Sequence, residues 1–397
     1  MSEGRFTVAP GTRLLHIGPH KTGTTALQGA FHQAREELAR HGVVYAGKGR
    51  QAKEPAAAIT TAEPTTGAGA AKKALWDAFC AEVAEAGDRR VAISSEFFSQ
   101  ADADAARAVV RGLGGTAVHV VVTLRPLHRI LPSHWQQYVK HGLCESYEEW
   151  LDGMLRRPPY DKPTPDFWHR HRHDALLARW AEAAGPDNVT VVVVDDAEPQ
   201  RLFRIFEDLL GLPEGILVPE AGGAGVNRSL THSQTELLLG LNRRLRELEL
   251  PRGKVVREGV VPQMQAYQPC SGEPRITTPA WAGAAAAEVA AEMVANISAL
   301  GVRVVGDLAV LTRRADGTAE PPAPAGIPTA AAVEAVLGGI RAGSALASSR
   351  QAERARSDAV EDRPVRKVTA QDLLRVVARR ARRRLRRRTR SAGRAGA

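Results

Sequence analysis

The sequence predicts an α/β fold: a central parallel sheet covered on both faces by helices. Two observations predict it. Four short apolar runs, at 13–18, 90–95, 117–124 and 189–195, are rich in β-branched residues and apolar at successive positions. Strands of that kind are buried on both faces. Amphipathic helical patterns fall between them, at 24–40, 71–86, 101–113 and 173–184, with further helices expected at 200–210, 231–248 and 279–299. Strands separated by helices are joined by crossovers, which gives three layers. In open sheets of this type ligands bind beyond the carboxyl ends of the strands. The residues just after each strand are therefore where chemistry is expected.

Length and composition set the bounds. The 397 residues are enough for a sizeable core. The net charge of +10 is uneven, because eleven Arg and no acidic residue lie from Arg375 onward. The remainder is close to neutral, so the basic balance belongs to the tail and does not indicate a nucleic-acid-binding fold. Cys80, Cys144 and Cys270 are odd in number and far apart. A disulfide framework or structural zinc site is therefore not expected, and a reducing, cytoplasmic setting fits best. No signal-peptide pattern opens the chain, and no apolar run approaches the roughly 20 residues expected of a bilayer span. The expected organisation is an N-terminal extension (1–12), an α/β domain (13–313), a largely disordered linker (314–366) with a short helix at 330–341, and a basic amphipathic helix (367–397) beginning near Thr369. That helix fits peripheral contact with an anionic membrane at the inner face; nucleic acid is not the expected partner.

The first strand leads into G-P-H-K-T-G-T-T, residues 18–25. A strand, a glycine-bearing loop and a helix N-terminus in series form an anion cradle. Lys21 stands within it as a point charge. Gly18 and Gly23 have Walker-like spacing, but Thr24 stands where a Walker A loop has Lys. After the second strand, S-S-E-F-F puts Glu96 beside the same crevice, either as a general base or as a structural carboxylate paired with Lys21. A base there would need its pKa raised toward neutrality, which partial burial beside the two Phe could supply. After the third, T-L-R-P-L-H-R-I-L-P-S-H-W-Q-Q-Y places Arg125 at a strand end and Ser133 eight residues on. An Arg fork with a hydroxyl suits a phosphate. Pro132 removes one helical hydrogen bond, which predicts a kink or restart at Ser133.

The string P-H-K-T-G-T-T-x-L-Q, with the Arg125–Ser133 pair, resembles the sulfotransferases that use 3′-phosphoadenosine 5′-phosphosulfate (PAPS). The likeness spans roughly residues 13–245 and is strongest to the bacterial sulfotransferase-like proteins. It implies a three-layer P-loop fold. It also implies that His20, Lys21, Thr22, Gly23, Thr24 and Thr25 hold the 5′-phosphosulfate, and that Arg125 and Ser133 hold the 3′-phosphate. Lys21 and Glu96 are then the catalytic pair, no metal is required, and the reaction moves a sulfuryl group from PAPS to a hydroxyl or amine of a small-molecule or glycan acceptor. A closing loop is matched less well by 222–229, G-G-A-G-V-N-R-S, where Asn227, Arg228 and Ser229 are candidates.

Two other readings stay open. V-V-V-V-D-D at 191–196 would be a Walker B strand in an ATP- and magnesium-dependent kinase, although Asp195 and Asp196 suit loop or capping roles better. A non-catalytic anion- or membrane-binding protein is the third. The run F-W-H-R-H-R-H-D (167–174) leads into a helix on which its His fan apart, so a cleft rim is expected there rather than a metal site. Trp135, Gln136 and Tyr138 are candidates to line the acceptor pocket, or core.

Overall fold

The structure, a computed structural model, describes residues 6–61, 67–158, 160, 162–220, 229–250, 252–269, 272–314 and 326–361. The chain divides into two compact units: Met1–Leu250 with Gln268–Pro328, and Pro251–Tyr267 with Thr329–Ala397.

The first unit is built on a six-stranded sheet: β1 (Arg13–His16), β2 (Val43–Tyr45), β3 (Arg90–Ser94), β4 (Val118–Leu124), β5 (Val189–Val193) and β6 (Arg303–Val305). Their order is β2-β3-β1-β4-β5-β6, and every pairing is parallel. This is the expected three-layer P-loop α/β architecture. Side chains alternate across each strand, so successive residues feed two different cores. Leu15, Val91, Ile93, Val120, Val122 and Val191 pack against one set of helices. That set comprises α4 (Gly67–Ala84), α5 (Ala103–Gly112), α9 (His173–Ala184) and α13 (Ala280–Ala299). Leu14, Ala92, Val121 and Val192 face the other way, onto α1 (Thr24–Gln33), α2 (Arg35–Arg40) and α10 (Arg201–Leu210). Burial of each large aliphatic side chain contributes about 1.5–3 kcal/mol.

The expected four strands and their helices are present to within a few residues, with two corrections. The pattern over 24–40 is two helices, since the backbone turns at Ala34 (φ −83°, ψ 5°). No break occurs at Ser133: α6 runs unbroken over Leu127–His141 with Pro132 inside it. Proline cannot donate to the carbonyl of His128. Thr278 Oγ1 donates to that carbonyl instead, at 2.5 Å, so the helix continues at little cost. Further helices are α3 (Lys53–Thr60), α7 (Tyr147–Leu155), α8 (Asp166–His171) and α11 (His232–Glu247). Capping boxes open α7 (Ser146 with Glu149) and α11 (Thr231 with Gln234).

The second unit pairs a π-helical turn (Val255–Val260) and α12 (Val261–Ala266) with α14 (Thr329–Glu361). Residues 252–267 thus belong with α14, and the helix expected at 330–341 extends over 329–361, where the rest was expected to be linker. The two segments meet at glycines. A Cβ on Gly259 would lie 2.3 Å from the Gly338 carbonyl oxygen, so only glycine permits the crossing. By length and composition Thr329–Ser349 is long and apolar enough to cross a membrane (21 residues, mean hydropathy 1.3), which the sequence reading did not anticipate. The helix expected from Thr369 lies outside the described residues.

Candidate active site

The loop after β1 is shaped by backbone that most side chains refuse. Gly18 and Gly23 have φ of +79° and +91°. A Cβ at Gly18 would stand 3.0 Å from Cβ of Glu96, so glycine lets the loop lie directly against the turn that carries that carboxylate. Lys21 also sits at a positive φ, +71°. For a long side chain this costs on the order of 1–3 kcal/mol, and such strain gathers at functional sites. Burial lowers the pKa of Lys21, and the nearby Glu96 carboxylate offsets part of that shift. Cation and carboxylate are thus in electrostatic range across the crevice.

Glu96 opens a 3₁₀ turn (Glu96–Gln100) directly after β3 and is half-buried. Gln28, four residues into the buried side of α1, donates to its Oε2 at 2.9 Å. From there a chain of buried polar groups crosses the carboxyl end of the sheet. Gln28 also donates to Ser94 Oγ (3.3 Å), and Ser94 Oγ meets His16 Nδ1 (2.9 Å). His16 Nε2 meets Thr123 Oγ1 (3.1 Å), Thr123 Oγ1 meets Thr22 Oγ1 (2.7 Å), and Thr22 Oγ1 donates to the Pro19 carbonyl (2.7 Å). The carbonyl end fixes the direction, because a carbonyl only accepts and each hydroxyl has one proton: Thr22 donates to Pro19, Thr123 to Thr22, and His16 Nε2–H to Thr123. Ser94 therefore donates to Nδ1, and His16 is the neutral tautomer with its proton on Nε2. Burial holds His16 in that state, pushing its pKa down to about 3. The carboxylate and the anion loop are parts of one hydrogen-bonded row spanning β3, β1 and β4.

Arg125 follows β4 and reaches the loop from the other side. Its Nη1 lies 3.5 Å from the Lys21 carbonyl, and Nη2 pairs with Asp196 at 2.6 Å. Its Nε is buried and has no partner among the described residues. The two motifs, separated by about a hundred residues in sequence, meet here. Asp195 accepts from the Ala197 N–H (3.0 Å) and pairs with Arg313 (3.3 Å), a loop role as expected. The Arg125–Asp196 pair was not foreseen.

The remaining candidates fall into place as follows. Thr24 and Thr25 open α1, the first buried and the second exposed, and the Thr22 hydroxyl points inward to hold the loop. His20 lies edge-on to Phe97 (centroids 5.6 Å) and parallel to His134 (6.2 Å). Burial first, then Arg170 and Lys21, lowers its pKa to about 3. His20 Nδ1 is buried without a partner among the described residues. Ser133 is half-buried on α6. Asn227 and Arg228 lie outside the described residues, and Ser229 is exposed just ahead of α11.

One expectation is corrected. The His run is not a cleft rim: His171 and His173 are buried, and His171 Nε2 meets His134 Nδ1 at 2.8 Å. Only His169 is exposed, against the Gln100 carbonyl. Of the two readings open for Trp135, the structure gives the core: it is fully buried, with its indole N–H donated to the Glu145 carbonyl at 3.1 Å. Sequence reasoning also missed His16, Gln28, Ser94 and Thr123. The available signal was a polar residue at or beside the carboxyl end of each of three otherwise apolar strands. Among the described residues, no three His, Cys, Asp or Glu gather in a metal-binding group.

No protein-family model matches the chain, and no curated protein matches it. Among solved structures it is similar to the crystal structure of a sulfotransferase from Alicyclobacillus acidocaldarius. The match covers 60% of this chain and 96% of that one, at 15% sequence identity and a TM-score of 0.36. A likeness that distant carries no argument about chemistry, which rests on the residues above.

Proposed function

We propose that the chain is a sulfotransferase that moves a sulfuryl group from PAPS to a hydroxyl or amine of an acceptor. The observation that carries this reading is the Lys21 cradle: a cation on a left-handed backbone, against Glu96 on one side and touched by Arg125 on the other. The residues fit a nucleotide with two separate anionic groups. Lys21 and the start of α1, with Thr24 and Thr25, suit a 5′-phosphosulfate. The unpartnered Nε of Arg125, with Ser133, suits a 3′-phosphate, which ATP does not have.

When bound, PAPS supplies a sulfuryl group whose S–O bond to phosphate breaks as the acceptor's O–S or N–S bond forms. Glu96, held by Gln28, takes the proton from the acceptor. Lys21 neutralises the charge that collects on the departing oxygen. The kinase reading loses support because Asp195, its required metal ligand, is engaged by Arg313 and the Ala197 N–H.

Thermal unfolding in the presence of ligands tests the proposal. At a hundred times its dissociation constant, adenosine 3′,5′-bisphosphate should stabilise the protein by about 2.7 kcal/mol, which raises Tm by several degrees. ATP with magnesium should do much less. Stabilisation by ATP–magnesium alone would overturn the reading, and no shift from either ligand would leave a non-catalytic protein as the better account.

A further inference from the structure

The second unit carries a surface that sulfuryl transfer does not use. Four large apolar side chains of α14 are exposed: Val333 (49%), Val336 (61%), Leu337 (36%) and Ile340 (59%). Their spacing of three, four and seven puts them on one face of the helix. The opposite face packs on residues 255–266 through Gly338, Ala342 and the buried Ala331. Thr329–Ser349 contains only two charged residues, Glu334 and Arg341. Both reach toward Gln263 of α12, Arg341 from an exposed position beside the packed face. Gln263 donates to Glu334 Oε2 at 2.5 Å and accepts from Arg341 Nη1 at 3.1 Å. The outward face is therefore apolar and carries no charge along that stretch.

We propose that this face of α14, together with the Arg-rich C-terminal stretch, docks the protein on an anionic lipid surface, with the helix lying in the plane of the membrane. The occupant is chosen by charge. A protein partner or a second copy would need only the apolar stripe. Eleven Arg without one acidic residue from Arg375 onward call for a dense field of negative charge beside it. Stable attachment of a peripheral protein takes two signals, commonly an apolar one and a polybasic one, and the chain carries both in one unit. The in-plane orientation follows from the sidedness of the helix, since Glu334 and Arg341 both bond to Gln263 of α12 and lie off the apolar stripe.

The test uses the full-length chain and sedimentation with vesicles, either of phosphatidylcholine alone or with about one-third phosphatidylglycerol. Partition should be at least about ten-fold greater onto the anionic vesicles and should fall steeply as salt is raised to about 0.5 M. The double substitution Val336→Asp with Ile340→Asp, at exposed positions, should lower partition about ten-fold while far-UV circular dichroism is unchanged. Serine in place of Arg382, Arg383, Arg384, Arg386, Arg387 and Arg388 should remove the preference for anionic lipid. Equal partition onto both vesicle types would overturn the proposal. So would a resistance to alkaline carbonate extraction that marks a spanning helix, or the Asp pair dissolving a solution dimer while vesicle binding persists.

Discussion

Glu96 and Lys21 face each other across a loop that only glycine at 18 allows to come so close, and their roles separate experimentally. Glu96→Gln keeps the shape and the hydrogen bond from Gln28 but cannot take a proton. Transfer should fall by at least about 10²-fold while bisphosphate binding, read by calorimetry, is unchanged. Loss of binding instead would make Glu96 structural. Lys21 gives the opposite signature. Its backbone is strained, and Asn tolerates the left-handed region far better than Lys. Lys21→Asn should therefore raise stability by about 1 kcal/mol, visible as a higher urea midpoint, while bisphosphate binding weakens. A variant that loses both would show that the side chain, not the strain, dominates its contribution to folding. His16 offers a test that needs no ligand. Nitrogen-15 NMR of the histidine rings should find its proton on Nε2 throughout pH 5–8; a proton on Nδ1 would break the row that joins Glu96 to the loop.

At the scale of elements, α6 shows how tertiary structure repairs a local fault. Pro132 reads as a helix breaker, and by local chemistry it is one. The repair comes from Thr278, 150 positions from the carbonyl it satisfies, and no window of sequence contains both. Thr278→Val is nearly isosteric and leaves that carbonyl without its partner, so it should cost about 1–2 kcal/mol. A fall in Tm of a few degrees with unchanged helix content would confirm the account; no change would mean that water replaces the hydroxyl. The same locality explains what else was and was not legible. The strands that carry the cradle, Glu96 and Arg125 were readable because central parallel strands are apolar throughout. β2 and β6 were not, because each is a three-residue strand at a sheet edge, with Tyr45 or Arg303 breaking the apolar pattern. His171 and His173 read as surface residues by type; the packing of α6, α8 and α9 buries them. Lys21, Glu96 and Arg125 were legible as a group because each lies in the segment that follows a strand. The Asp196 partner of Arg125 was not, since two adjacent Asp give no sign of which one turns inward.

For the whole molecule, the decisive feature is how many histidines the fold buries in the neutral state. His16, His119, His134, His171 and His173 are each 5% exposed or less. Desolvation by burial is the largest cause of the depressed pKa in every case, to about 3 for His16 and about 4 for His119 and His173. His134 and His171 are held well below 6.5, with neighbouring cations and imidazoles adding to burial. In the unfolded chain all five take up protons near pH 6.5. Below that pH the unfolded state binds protons that the native state refuses, so stability falls as pH falls, and above it these groups contribute no pH dependence. Each buried ring adds a slope of up to about 1.4 kcal/mol per pH unit in the window between about 6.5 and its folded pKa. Five acting together would consume the 5–15 kcal/mol typical of a native protein within about two pH units. The urea midpoint should accordingly be flat from pH 8 to 7, drop by pH 5.5, and give way to cooperative acid unfolding near pH 5, far above the range in which carboxylates titrate. His119→Gln, which removes one ring from beside Thr190 at the start of β5, should make the descent shallower by about one proton's worth of slope. A midpoint that stays level to pH 4.5 would mean that these rings reach solvent and protonate in place, and the neutral His16 on which the row beneath the cradle depends would fall with it.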